Sequence, residues 1–89
     1  MTNKDLTIIN KLGLHARAAA KLVALASNFQ SDIFLEKEGK KVNGKSIMGV
    51  MMLAASKGSI VTVAVDGDDE HEALTSIEKL FNNYFDEEE

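Results

Sequence analysis

Cysteine is absent from this 89-residue chain, which excludes a disulfide framework, a thiolate nucleophile and any cysteine-based metal site. A reducing cytosol fits that absence, and a cytoplasmic location is the expectation. No apolar run approaches the roughly 20 residues of a membrane span. Met1-Thr2-Asn3-Lys4-Asp5 also lacks the basic and apolar regions of a secretory signal, so no membrane insertion is expected. Aromatics are scarce at 6% and the pI is about 5.1, which leaves little for a nucleic-acid stacking platform. Proline is missing too, so no helix start has its φ pre-set by a ring.

What is present describes a globular chain. Hydrophobic residues make up 45%, above what a disordered segment carries, and the length fits a single domain over 1–89. The net charge of −4 hides a segregation. Residues 1–65 hold nine Lys/Arg against four Asp/Glu, a net +5, while residues 66–89 hold one against ten, a net −9. The basic set includes Lys11, Arg17, Lys21, Lys40, Lys41, Lys45 and Lys57. Such a region steers a phosphorylated or acidic partner surface toward it, although any one of these lysines also serves as ordinary solvated surface.

The apolar spacing alternates between two periods. Leu6-Thr7-Ile8-Ile9 predicts a first strand, and Ala18, Ala19, Leu22, Val23 and Ala26 predict a helix to about Ser27. Ile33–Glu36 and the charged Lys40-Lys41-Val42 read as two more strands, the latter at an edge. A second helix is expected from near Ser46 to Lys57, with Gly58 at its C′ position. Ser59–Val65 is the clearest strand, β-branched and central. Asp69 and Glu72 suggest a capping box for a third helix through Phe85, followed by a frayed acidic end from Asp86 to Glu89. The order βαββαβα is most economical as one four-stranded antiparallel sheet, in order 1-4-2-3, with three helices on one face. This is an α/β (α+β) chain folded as an open-faced β-sandwich.

Gly13-Leu14-His15-Ala16-Arg17 carries the chemistry. His15 stands at the mouth of the first helix, where backbone N–H groups are unpaired and the dipole end is positive. That position favours an anion, such as a phosphoryl group on the imidazole. The backbone N–H groups of Ala16 and Arg17 would hold such a phosphate, with a charge-assisted contact from the Arg17 guanidinium. Read as structure alone, His15 would merely cap the helix. Ser46, before Ile47-Met48-Gly49-Val50-Met51-Met52-Leu53, is an N-cap. That short helix cannot bury all six of its apolar side chains, so Ile47, Met48 and Met51 are expected to form an exposed, adaptable patch. His71, on the acidic third helix, reads as solvated. No cofactor and no metal are expected.

The two segments Gly13–Arg17 and Lys45–Met51, about thirty residues apart, together resemble those of HPr, the histidine phosphocarriers of the bacterial phosphoenolpyruvate-dependent phosphotransferase system. The resemblance runs over essentially the whole chain. It implies a monomeric carrier rather than an enzyme. His15 would take a phosphoryl group from enzyme I on Nδ1, Arg17 would bind the phosphate, and an EIIA-type protein would receive it. Ile47, Met48 and Met51 correspond to family positions that dock these partners. In part of the family the serine matching Ser46 is phosphorylated by HPr kinase/phosphorylase, which leaves an alternative: a mainly regulatory docking protein controlled at Ser46. Two departures stand out. Ala18 replaces the usual proline, and Leu12 replaces a polar residue. Leu12, with Met51-Met52-Leu53-Ala54-Ala55, tilts the resemblance toward the nitrogen-related branch.

Overall fold

A buried valine at every second position makes one strand the middle of the sheet. In the computed structural model, which describes residues 1–87, Val61, Val63 and Val65 are fully covered while Ile60 is exposed and Thr62 and Ala64 are half-buried. The elements are β1 (Thr2–Thr7), α1 (Ala16–Ala26), β2 (Asp32–Lys37), β3 (Lys40–Asn43), α2 (Ile47–Met52), β4 (Ile60–Asp66) and α3 (Glu70–Asn82). The sheet runs β1-β4-β2-β3 with every pair antiparallel, the expected open arrangement. Register sets Leu6 opposite Val61, and Leu35 opposite both Val63 and Val42. The inward strand residues join Ala18, Ala19, Leu22 and Ala26 of α1, Val50 of α2, and Ala73, Ile77 and Phe81 of α3 in one core. Each fully buried Val, Leu, Ile or Phe contributes about 1.5–3 kcal/mol of transfer free energy.

Two boundaries and one turn differ from the sequence reading, each for a physical reason. The first strand begins at Thr2 rather than Leu6. It is an edge strand whose polar residues pair with β4 through the backbone, and Leu6 is its one buried side chain. The second helix stops at Met52, not at Lys57. Its last carbonyls are claimed by lysines of the β2–β3 hairpin: Lys40 Nζ donates to Met52 O at 2.9 Å and Lys37 Nζ to Ala54 O at 3.2 Å. Ala54 then turns left-handed at φ 52°. Gly58 belongs to the Ser56–Ser59 turn instead of a helix cap.

The capping box is also absent. Asp69 occupies the N-cap position of α3 but makes no side-chain cap. Its carboxylate accepts from the Ser31 hydroxyl and from the backbone N–H groups of Gln30 and Ser31. These donors, the Ser31 hydroxyl foremost, hold the carboxyl below its ordinary range. Asp69 thus ties the start of α3 to the α1–β2 connection.

The largest correction concerns the C-terminal segment. The third helix ends at Asn82, and Tyr84, Phe85 and Asp86 all take positive φ, between 53° and 63°. This left-handed turn, costing about 1–2 kcal/mol per residue, reverses the chain. It drives Phe85 into the core, fully buried, with its ring 4.8 Å from that of Phe81. Lys21 of α1 donates to the Phe85 carbonyl oxygen at 3.1 Å. Asp86 and Glu87 are therefore folded back rather than frayed; the rest of the expected frayed end, residues 88–89, lies outside the described residues. Phe85→Ala is expected to cost about 3–5 kcal/mol, read from the denaturant midpoint. A loss below about 1 kcal/mol would place this segment outside the cooperative core.

Candidate functional site

The loop before α1 is a closed turn built for position. Gly13 takes φ +65°, and a Cβ there would collide with the Ala55 carbonyl oxygen and approach Ser56 Cα to 2.8 Å. Only glycine accepts both the left-handed backbone and the contact. Gly13 N–H donates to Asn10 O, and Asn10 Nδ2 returns a bond to Gly13 O at 2.8 Å. Leu14 N–H then donates to Ala55 O at 2.9 Å while its side chain is buried. The β1–α1 loop is thereby pinned to the α2–β4 connection.

His15 follows as the N-cap of α1, with extended backbone at φ −73° and ψ 177° and no side-chain capping bond. Its carbonyl accepts the first helical bond, from Ala19 N–H at 2.8 Å. The N–H groups of Ala16, Arg17 and Ala18 come before that bond and have no intrahelical acceptor. No acidic side chain lies in this first turn to offset the dipole. Ala16 and Arg17 are exposed. Three groups read from sequence, His15, Arg17 and the first-turn backbone, are therefore brought together at one exposed helix start.

Two residues of the cluster were not read from sequence. His15 Nε2 lies 2.5 Å from Glu87 Oε2, the two side chains 28% and 14% exposed. Glu87 Oε1 accepts from Asn10 Nδ2 at 2.9 Å. Asn10, fully buried, thus uses its amide on both the Gly13 turn and Glu87. Its donation is the leading cause that keeps the Glu87 carboxyl below its ordinary range, with His15 and Arg17 adding to it against partial desolvation. Glu87 is 72 residues from His15, and only the left-handed turn at 84–86 delivers it there.

Ser46 lies on a separate element packed against α1. Its hydroxyl accepts from Gly49 N–H at 3.1 Å, so it is the N-cap of α2. Within α2 only Val50 is buried. Ile47, Met48 and Met51 are exposed, Met48 most of all at 74%, as is Met52 on the same helix; Leu12 of the β1–α1 loop is exposed as well. Met52 was missing from the predicted patch. A six-residue helix seated on Val50 alone leaves its other apolar positions in solvent. His71 is exposed on α3. Among the described residues, no group of three or more His, Cys, Asp or Glu is placed to hold a metal ion, and no helix is long and apolar enough to cross a membrane.

Comparisons with known proteins converge. The family model described as the PTS HPr component phosphorylation site matches residues 2–83. The phosphocarrier protein HPr of Cupriavidus necator is 56% identical over 89 residues, covering 100% of both chains. That of Xylella fastidiosa is 54% identical over 88 residues, covering 99% of each. The crystal structure of an HPr from Thermoanaerobacter tengcongensis superposes with a TM-score of 0.96 at 48% identity, covering 100% of both chains. As a test of the second element, Ser46→Ala should lower stability by about 1 kcal/mol in chemical denaturation. An unchanged midpoint would mean that the Gly49 N–H bond is replaced by water without loss.

Proposed function

This chain belongs to the HPr family of phosphocarrier proteins, and we propose that His15 is its phosphoryl seat, loaded by enzyme I from phosphoenolpyruvate and discharged to an EIIA-type acceptor. The observation that carries this reading is a histidine ring unused for capping at the start of α1, beside N–H groups that precede the first helical bond. A neutral imidazole is nucleophilic near physiological pH. Once a phosphoryl group sits on Nδ1, the N–H groups of Ala16 and Arg17 and the Arg17 guanidinium are its ligands. Such dipole contacts are each worth about 0.3–2 kcal/mol, weak enough for onward transfer. The protein is a covalent carrier, with no turnover of its own, and works as a monomeric single domain in the cytoplasm.

Ile47, Met48 and Met51 are the docking surface in this reading, which the exposure of α2 supports. A second reading is favoured by one observation: Ser46 caps the same helix that presents these side chains. A phosphate there adds about −1.5 to −2 charges beside the patch and repels an acidic partner. On this reading HPr kinase/phosphorylase acts at Ser46, and the protein works mainly as a regulatory docking module.

Incubation with enzyme I and phosphoenolpyruvate should add one phosphoryl mass that is lost in mild acid and survives alkali. His15→Ala should abolish it; transfer that persists in this variant sinks the carrier assignment. An acid-stable adduct formed with ATP and the kinase, absent from Ser46→Ala, would support the regulatory reading. Met48→Glu should weaken binding to enzyme I about tenfold or more, as loss of an interface anchor does, with the melting temperature unchanged. Equal affinity would remove Met48 from the docking surface.

A further inference from the structure

The contact between His15 and Glu87 joins the most reactive side chain to the last described residue, and the carrier reading does not use it. An ionised carboxylate has no proton to give. Glu87 is held in that form by the Asn10 amide, so at the 2.5 Å contact His15 Nε2 must be the donor. A neutral imidazole has one N–H, and a proton fixed on Nε2 leaves the lone pair on Nδ1. We propose that Glu87 is a positioning residue for His15: gripped by Asn10, its carboxylate holds the Nε2–H tautomer and so presents Nδ1 as the nucleophile. This rests on the reading of His15 as the phosphoryl seat.

The surroundings are arranged for the grip. Phe85, buried two residues earlier, anchors the turn in the core, and Lys21 fixes the Phe85 carbonyl. Arg17, on the first turn of α1, is a further charged group that bears on the pair. Asp86, the neighbouring acid, accepts instead from the Asn83 side chain at 2.9 Å. In the transfer step the Nδ1 lone pair forms the new N–P bond as the bond between phosphorus and the donor's own atom breaks, its electron pair returning to that atom. The proton on Nε2 stays in place. The positive charge that builds on the ring then faces a carboxylate already in contact with it, and no solvent has to reorganise to meet it.

Two measurements test this on the intact chain. Long-range ¹H–¹⁵N correlation spectra of the free protein at neutral pH should show His15 predominantly as the Nε2–H tautomer. In Glu87→Ala the two nitrogens should move toward a mixture. Quenched-flow loading by phosphorylated enzyme I should slow about tenfold in Glu87→Ala, the scale of one charge-assisted hydrogen bond. Glu87→Gln, which keeps an acceptor oxygen but no charge, should fall between. Asp86→Asn removes the same charge one residue away and should load at the wild-type rate. An unchanged tautomer balance in Glu87→Ala overturns the proposal. So does loading that is unchanged or faster, because the carboxylate would then be a bystander or a shield. If even the wild-type chain accepts no phosphoryl group, the carrier reading fails instead, while the tautomer measurement still decides what Glu87 does to the ring.

Discussion

The close approach of Gly13 to Ala55 is the constraint on which the site depends. There is no room for a Cβ between the β1–α1 loop and the α2–β4 connection, and the backbone at Gly13 is left-handed. The Leu14 N–H to Ala55 O bond next to it turns that approach into a fixed distance. His15, one residue on, inherits a position defined relative to both α1 and the segment leaving α2. The His15 ring, the proposed phosphoryl seat, and the helix that carries exposed methionines are thus set against one another by backbone contacts, and no side chain needs to bridge them.

The sheet contributes a rigid floor, and the C-terminal segment adds a third wall. Val61, Val63 and Val65 hold β4 between β1 and β2, and α3 packs across β1 and β4. Because the chain continues past α3 into a left-handed turn, its last described residues return to the start of α1. The strain of three consecutive positive φ values is offset in part by the burial of Phe85 against Phe81. An energetic device of the core therefore determines what stands beside the histidine.

Much of this was legible in the sequence because the relevant signals are local. The 3.6-residue stripe of Ala18, Ala19, Leu22 and Ala26 marks α1 and all four are buried. Ser46 before an apolar run marks a cap, and its hydroxyl makes the bond. What was not legible depends on partners distant in the chain. Asp69 looks like a capping residue until Ser31, 38 residues away, claims its carboxylate. The end of α2 is decided by Lys37 and Lys40, and β1 by backbone pairing that its polar side chains do not announce. Glu87 in a run of acids carries no mark that separates it from its neighbours. Only Phe85, an apolar residue directly before the acidic run, hinted that the chain is anchored here.

A phosphocarrier has to hold its cargo without keeping it, and in the function proposed for this chain the two edges of the His15 ring divide that work. On one side are the N–H groups of a helix start, each a weak anion ligand, and an exposed Arg17 that must give up side-chain freedom to close on a phosphate. Neither makes a deep well. On the other side a carboxylate, part-buried and already hydrogen-bonded to Asn10, offers charge that is in place before the reaction begins. Weak ligands for the cargo and a preorganised partner for the ring act on different states. The first sets how readily the phosphoryl group leaves, the second how readily the nitrogen attacks. Under the proposed function, separating them would let one histidine be a good acceptor and a good donor in turn, which a single strong phosphate site would prevent.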